Sequence, residues 1–234
     1  MLVAEAQEIR SRERKLLSAV NQTLLRSYRG LSKLNKVAWL RIAGGAGIFA
    51  PVSAFTFIGL AVASCPQFSW VNNALSDLGV VPGVTSTLFN FGLYLSGLFC
   101  LSFAVGLFTF LGEHVVGKIG SFVFVLASLS LEGIGLFPEN VRPFHLVFSI
   151  AFFTLVPIAL LVVAGYYIVA HQKRIAMFTL SVAVVAAMPW VLLFSVQYVS
   201  GVAIPELVSG LAGATWTVVV GSKMIKIASR SKNP

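Results

Sequence analysis

The chain has 234 residues, of which 57% are apolar, 11% are charged and 12% are aromatic. Soluble domains carry about 25% charged residues, so this composition excludes a cytosolic enzyme, a nucleic-acid-binding domain and a disordered protein. The 17 Lys and Arg residues outnumber the 8 Asp and Glu residues and give a net charge of +9. In a chain this apolar, we interpret the basic excess as a signal of membrane topology, with no nucleic-acid partner.

The segment before the first apolar run is basic and amphipathic. Between Lys15 and Trp39, apolar residues recur at steps of three and four, and basic residues occupy the remaining positions. This pattern predicts a helix lying on the anionic inner leaflet of a membrane. Docking of a partner or of nucleic acid is the alternative interpretation.

Six later runs of about 20 residues are apolar, nearly uncharged and long enough to cross a bilayer as helices. They cover residues 42–64, 88–111, 117–137, 144–170, 175–198 and 207–222. The predicted fold is therefore all-α, a polytopic membrane protein with six transmembrane helices in one bundle. Its three parts are a basic interfacial segment (1–41), the six-span domain (42–222) and a basic tail (223–234).

The basic residues predict the orientation of the spans. All of them except Arg142 fall at the N-terminus, at the C-terminus or in the loops on that same side. Cytoplasmic loops retain Lys and Arg, so we predict a multi-pass protein of the cell membrane with both termini in the cytoplasm. Cys65 and Cys100 are predicted to be unpaired, because they belong to different parts of the hydropathy map.

The first outer loop predicts a short helix over residues 69–79. Ser69 or Asn72 would be its N-cap, Gly79 would be its C-cap, and Pro82 follows. At 100° per residue, the apolar positions of this helix share one face and the polar positions share the opposite face. The polar face would contact water or close over a cavity between the spans.

Polar side chains gather in the outer half of the predicted bundle. Because ionisable residues are costly within a membrane, their clustering in a chain with so few charges indicates a structural or functional role. Glu132 lies inside the third span, so its side chain should face the interior; it either pins two helices together or carries protons. His145, at the start of the fourth span, should be neutral because it meets the positive end of the helix dipole. We interpret Glu139 and Arg142 as a solvated pair, and Glu206 as a favourable charge at a helix N-terminus.

Candidate site residues follow from this cluster. The catalytic candidates are Ser76, Asp77, Glu132 and His145, and three of these, Asp77, Glu132 and His145, are also candidates for binding a divalent metal. The ligand-binding candidates are Asn73, Asn90, Glu139, Arg142, Gln197 and Tyr198. No nucleotide motif is present in the sequence, and no histidine pair suited to haem is expected.

Several of these residues lie in segments that resemble a known family. The block Asn73-Ala-Leu-Ser-Asp-Leu-Gly79, then Asn90-Phe-Gly-Leu, Gly135-Leu-Phe-Pro-Glu139 and His145 are similar to the six-helix membrane family described as domain of unknown function 998. The resemblance covers about 46–222. It implies a six-helix fold and no established reaction, and it implies that Asn73, Ser76, Asp77, Pro138 and His145 match the recurring pattern of the family.

Three classes of function fit the sequence. The first is a scaffold or a protein that binds lipids or other amphiphiles through an outer-facing polar pocket, with membrane lipids, a membrane-protein partner or a second copy as partners. The second is a membrane-embedded hydrolase or transferase, with or without a metal, that acts on lipid head groups. The third is a small proton-coupled transporter or sensor. Convergence of Asp77, Glu132 and His145 would favour the second or the third.

Overall fold

A computed structural model describes residues 2–230, with side chains from Leu34 onward and that of Gln22. The chain divides into two compact units, residues 1–39 and residues 40–234. The first unit consists of the N-terminal part of one long helix. The side chains that would form its predicted amphipathic face, from Leu17 to Leu31, lie outside the described residues.

The described residues form helices and no strands, which confirms the predicted all-α fold. The elements are α1 (Leu2–Ala63), the 3₁₀ helix η1 (Leu75–Val80), α2 (Val84–Leu111), α3 (Val115–Leu136), α4 (Phe144–Val169), α5 (Lys173–Val196) and α6 (Ala203–Arg230). All six α-helices are long and apolar enough to cross a membrane, with α1 contributing its part from Leu34 to Ala63.

Within the second unit, the largest difference from the predicted spans is at α6. The predicted span covers residues 207–222, whereas the helix runs from Ala203 to Arg230. Hydropathy finds only the apolar middle of such a helix. Backbone hydrogen bonding continues through Glu206 at one end and through Lys223, Lys226 and Arg230 at the other. Long basic side chains near a helix end can extend towards water.

In the second unit, α1 to α6 pack as a closed ring. Consecutive helices from α2 to α6 are neighbours, and α1 closes the ring by packing against α2 and α6. A Cβ atom added to Gly106 of α2 would lie 2.2 Å from the Cβ of Ala43, and one added to Gly44 would lie 2.6 Å from the carbonyl oxygen of Gly221 in α6. Glycine at these positions allows the helix backbones to approach closely.

One half of the ring has an aromatic core. The indole of Trp216 contacts Phe103 and Phe124, with ring centroids 5.8 Å and 5.3 Å away. Its Nε1 donates a hydrogen bond of 3.1 Å to Oγ1 of Thr179 in α5, and neither Trp216 nor Thr179 is exposed. This bond satisfies a donor that would otherwise be costly to bury.

Candidate functional site

The two ends of the bundle differ in charge, and we call them the η1 end and the basic end. The η1 end contains η1 and the segments 137–143 and 197–202. The basic end lies at the opposite ends of the helices, and its described cations in the second unit are Arg41, Lys118, Lys173, Arg174, Lys223, Lys226 and Arg230. Most of the candidate site residues lie at the η1 end.

Local hydrogen bonds explain why the loop before α2 forms a 3₁₀ helix instead of the helix predicted over 69–79. Asp77 Oδ2 accepts hydrogen bonds from Asn73 Nδ2 at 2.6 Å and from the backbone N–H of Ala74 at 3.0 Å. Asn73 Oδ1 accepts one from the Ser69 N–H at 2.9 Å. Side chains of Asn and Asp compete with helical hydrogen bonding in this way, so the regular structure begins only at Leu75.

Burial in this segment does not simply follow the two predicted faces. Leu75 and Leu78 of the apolar face are buried, Val71 of the same face is exposed, and Ser76 of the polar face is buried, with 7% of its surface exposed. At Ser76 the polar face does not contact water. Ser76 is one of the residues that line a cavity inside the bundle.

Glu206 joins η1 to α6. Its Oε2 accepts a hydrogen bond of 2.6 Å from the backbone N–H of Leu75. The carbonyl of Asn73 accepts two more bonds from the start of α6, from Val202 N at 3.1 Å and Ala203 N at 2.9 Å. Glu206 does lie in the first turn of α6, as predicted. The prediction missed its bond to a segment 131 residues away.

Asn90 joins η1 to α2. Its Nδ2 donates a hydrogen bond of 2.9 Å to the carbonyl of Gly79. A Cβ atom added to Gly79 would lie only 2.6 Å from Oδ1 of Asn90, so the Asn90 side chain would have to shift. Two of the predicted ligand-binding residues, Asn73 and Asn90, therefore hold η1 in place.

Glu139 lies near Asp77, Ser76 and His145. Burial raises the pKa of its carboxyl above the ordinary value of 4.5, the neighbouring Asp77 carboxyl raises this pKa further, and His145 and Ser76 lower it. The expected pair with Arg142 is wrong: no ion pair between them is found among the described residues, and Arg142 is exposed. The physical reason is that Glu139 is partly buried beside Asp77, whereas Arg142 remains hydrated.

His145 and Glu132 occupy different environments. His145 is buried, and its Nδ1 lies 2.7 Å from the carbonyl oxygen of Phe137. Glu132 instead packs against α2, where a Cβ atom added to Gly97 would lie 2.4 Å from its Cγ. Its Oε1 is buried and has no hydrogen-bond partner among the described residues. The structure thus brings Asp77, Glu139 and Glu206 together, and Glu132 lies at the α2–α3 contact.

The remaining candidates lie apart from this cluster. Gln197 ends α5 in a left-handed conformation with φ 46°, and Tyr198 follows it; both are exposed. Among the described residues, no group of three His, Cys, Asp or Glu side chains is arranged to hold a metal ion. Cys65 and Cys100 are free, as predicted.

A cavity extends from η1 into the bundle. It has a volume of about 120 Å³, counted as the space open to the centre of a water molecule. Its wall is formed by η1 and by every α-helix except α5, and it is mostly apolar, with Phe55, Leu93, Leu131 and Phe152 among the lining residues. Ser76 and Glu206 lie at its η1 end.

A ring of six membrane-length helices, with an internal cavity and polar residues at its η1 end, defines a multi-pass membrane protein. A family model described as "Protein of unknown function (DUF998)" matches residues 48–223, and the chain belongs to this family. This confirms the resemblance found in the sequence. Neither the curated proteins nor the solved structures include a match to this chain.

Proposed function

We propose that this protein binds the apolar chain of a lipid or another amphiphile in the central cavity. The observation that carries the proposal is the contrast between the long apolar wall of the cavity and the polar groups at its η1 end. Ligand sites of this kind are mostly apolar, with a few polar groups that fix orientation. An amphiphile has the same division between its chain and its head group.

The hydroxyl groups of Ser96, Ser128 and Ser209 on the wall support this proposal over a water-filled pathway. Ser96 donates to the carbonyl of Gly92 at 2.6 Å, Ser128 to that of Phe124 at 2.8 Å, and Ser209 to that of Ala186 at 2.6 Å. These hydroxyl protons are therefore already used within the protein. A path for ions or protons would require polar groups directed at the cargo, whereas this wall suits hydrocarbon.

Charge supports an orientation in the membrane. The basic end carries seven described cations in the second unit, and the only Lys or Arg at the η1 end is Arg142. We propose that the basic end faces the cytoplasm and that the cavity opens towards the outer leaflet. Green fluorescent protein fused to the C-terminus should fluoresce in cells, and alkaline phosphatase fused there should be inactive; the reverse pattern contradicts the orientation.

A cavity-filling substitution tests amphiphile binding. A Cβ atom added to Gly213 would make an ordinary contact of 3.7 Å with Val156, and one added to Gly59 would meet nothing within 4 Å. Gly213→Leu should fill the cavity, and Gly59→Leu, on an exposed part of α1, is the matched control. Native mass spectrometry of detergent-purified protein should show a bound amphiphile in wild type and Gly59→Leu that is lost in Gly213→Leu. Equal occupancy in all three folded proteins would contradict the proposal.

A further inference from the structure

Among the described residues that line the cavity, Glu206 alone carries a carboxylate. Its Oε2 is occupied by the N–H of Leu75 at 2.6 Å, whereas its Oε1 accepts no hydrogen bond from any described residue. Glu206 lines the cavity beside Ser76. One acceptor oxygen is therefore left for a ligand.

The surroundings of this oxygen are acidic. The charges of Glu139, in the segment before α4, and Asp77, in η1, both act on Glu206. His145 of α4 faces Glu139, and no Lys or Arg in the described part of the chain lies within ion-pair distance of any of the three carboxylates. An anionic head group would be repelled here, whereas a cation would offset the cost of burying a carboxylate.

The residues that line the cavity extend over several turns of α2 and α6. They run from Glu206 to Thr217 along α6 and from Phe89 to Cys100 along α2. At 1.5 Å per residue, each stretch spans about 16 Å. The lined stretch is thus about as long as the extended alkyl chain of a medium-chain amphiphile with its head group at Glu206.

We propose that the cavity selects an amphiphile with a cationic amine head group, whose ammonium donates to Glu206 Oε1 while its alkyl chain runs towards Thr217. Ser76, which also lines this end, offers a hydroxyl oxygen as a second acceptor. Hydrogen bonds between ammonium and carboxylate are about twice as strong as neutral ones. This inference rests on the proposed function and adds the chemical class of the head group.

The test compares three ligands that have the same chain. Full-length protein in phosphatidylcholine nanodiscs is titrated with tritium-labelled dodecylamine, with empty nanodiscs subtracted, and unlabelled dodecylamine, dodecanol and dodecanoate are used as competitors. Wild type should prefer dodecylamine to the other two by about tenfold or more. Glu206→Gln should lose most of this preference, because its amide keeps an acceptor for Leu75 but carries no charge. Glu113→Gln, at the basic end, is the matched control.

The outcomes separate the two proposals. If the three ligands compete equally, or if folded Glu206→Gln keeps the affinity of wild type for dodecylamine, the amine inference is overturned while cavity binding stands. If Gly213→Leu binds dodecylamine and dodecanol as well as wild type does, binding in the cavity is contradicted as well. Loss of preference in Glu206→Gln, with dodecanol binding unchanged, supports both proposals.

Discussion

Different interactions stabilise the two ends of the second unit. At the η1 end, η1 is held by hydrogen bonds from side chains and backbone groups far apart in sequence, such as that between Leu75 and Glu206. Towards the basic end, helices meet through backbone contacts at glycine, as between Gly44 and Gly221, and through the aromatic core around Trp216.

From this contrast we infer that the glycine and aromatic contacts towards the basic end shape the bundle, whereas the η1 end is suited to a ligand. Close packing at glycines depends on volume, and many apolar sequences satisfy it. A polar network inside a membrane protein is stable only if nearly all its groups are paired. The unpaired Oε1 of Glu206, at the wall of the cavity, is therefore the more informative feature.

The largest effect on stability is expected at the packed end. Gly44→Ala should lower the free energy of unfolding by about 3 kcal/mol, because the added Cβ would lie 2.6 Å from a backbone oxygen of α6 and the helices would have to separate. Gly45→Ala is the matched control, since its Cβ would meet nothing within 4 Å and alanine favours helix. Thermal unfolding in detergent would measure both; equal melting temperatures would show that this contact is not tight.

A smaller loss is expected at the η1 end. Glu206→Ala should cost about 2 kcal/mol, because the N–H of Leu75, a residue only 6% exposed, loses its acceptor. Hydrogen exchange should rise at residues 71–80 while the α2–α3 contact stays protected. Glu206→Gln keeps an acceptor and should behave like wild type. Unchanged exchange in Glu206→Ala would show that this bond does not hold η1.

The polar contact within the aromatic core tests whether the packed end also depends on hydrogen bonds. Thr179→Val keeps the side-chain volume but removes the acceptor of Trp216 Nε1, so it should cost about 1 kcal/mol. Thr215→Val is the control, because that hydroxyl is exposed and donates only to Leu211 of its own helix. Denaturation of the two variants would be compared, and a Thr179→Val protein as stable as the control would contradict this expectation.

The smallest effect is a dependence of stability on pH at the η1 end. The pKa of Glu139 is raised in the folded state, so its contribution is complete below the ordinary value of 4.5 and is lost as the pH rises through the raised value. Melting temperature should therefore decline as the pH rises from 4.5 to the raised value, and less steeply in Glu139→Gln. Glu113→Gln, which changes an exposed carboxylate at the basic end, should keep the pH dependence of the melting temperature of wild type. The same pH dependence in all three proteins would show that Glu139 does not cause it.

The sequence predicts the helices well because each apolar run reports its own environment, whatever the rest of the chain does. It also singles out Asn73, Asp77 and Asn90, since amides and carboxylates are uncommon in such a chain. It could not predict the bond from Leu75 to Glu206 or the turning of Glu139 towards Asp77. Both depend on where distant segments meet, and hydropathy contains no information about such pairing.

Photolabelling can locate the alkyl chain that we propose for the cavity. The membrane-embedded protein is labelled with an alkyl amine that carries a diazirine in its chain, and the labelled residues are found by peptide mapping. We predict label on cavity-lining residues such as Ser128 and Phe152, and its loss in Gly213→Leu. Label confined to outward-facing residues of α5, such as Met177 and Phe194, and unchanged by Gly213→Leu would show that the chain does not occupy the cavity.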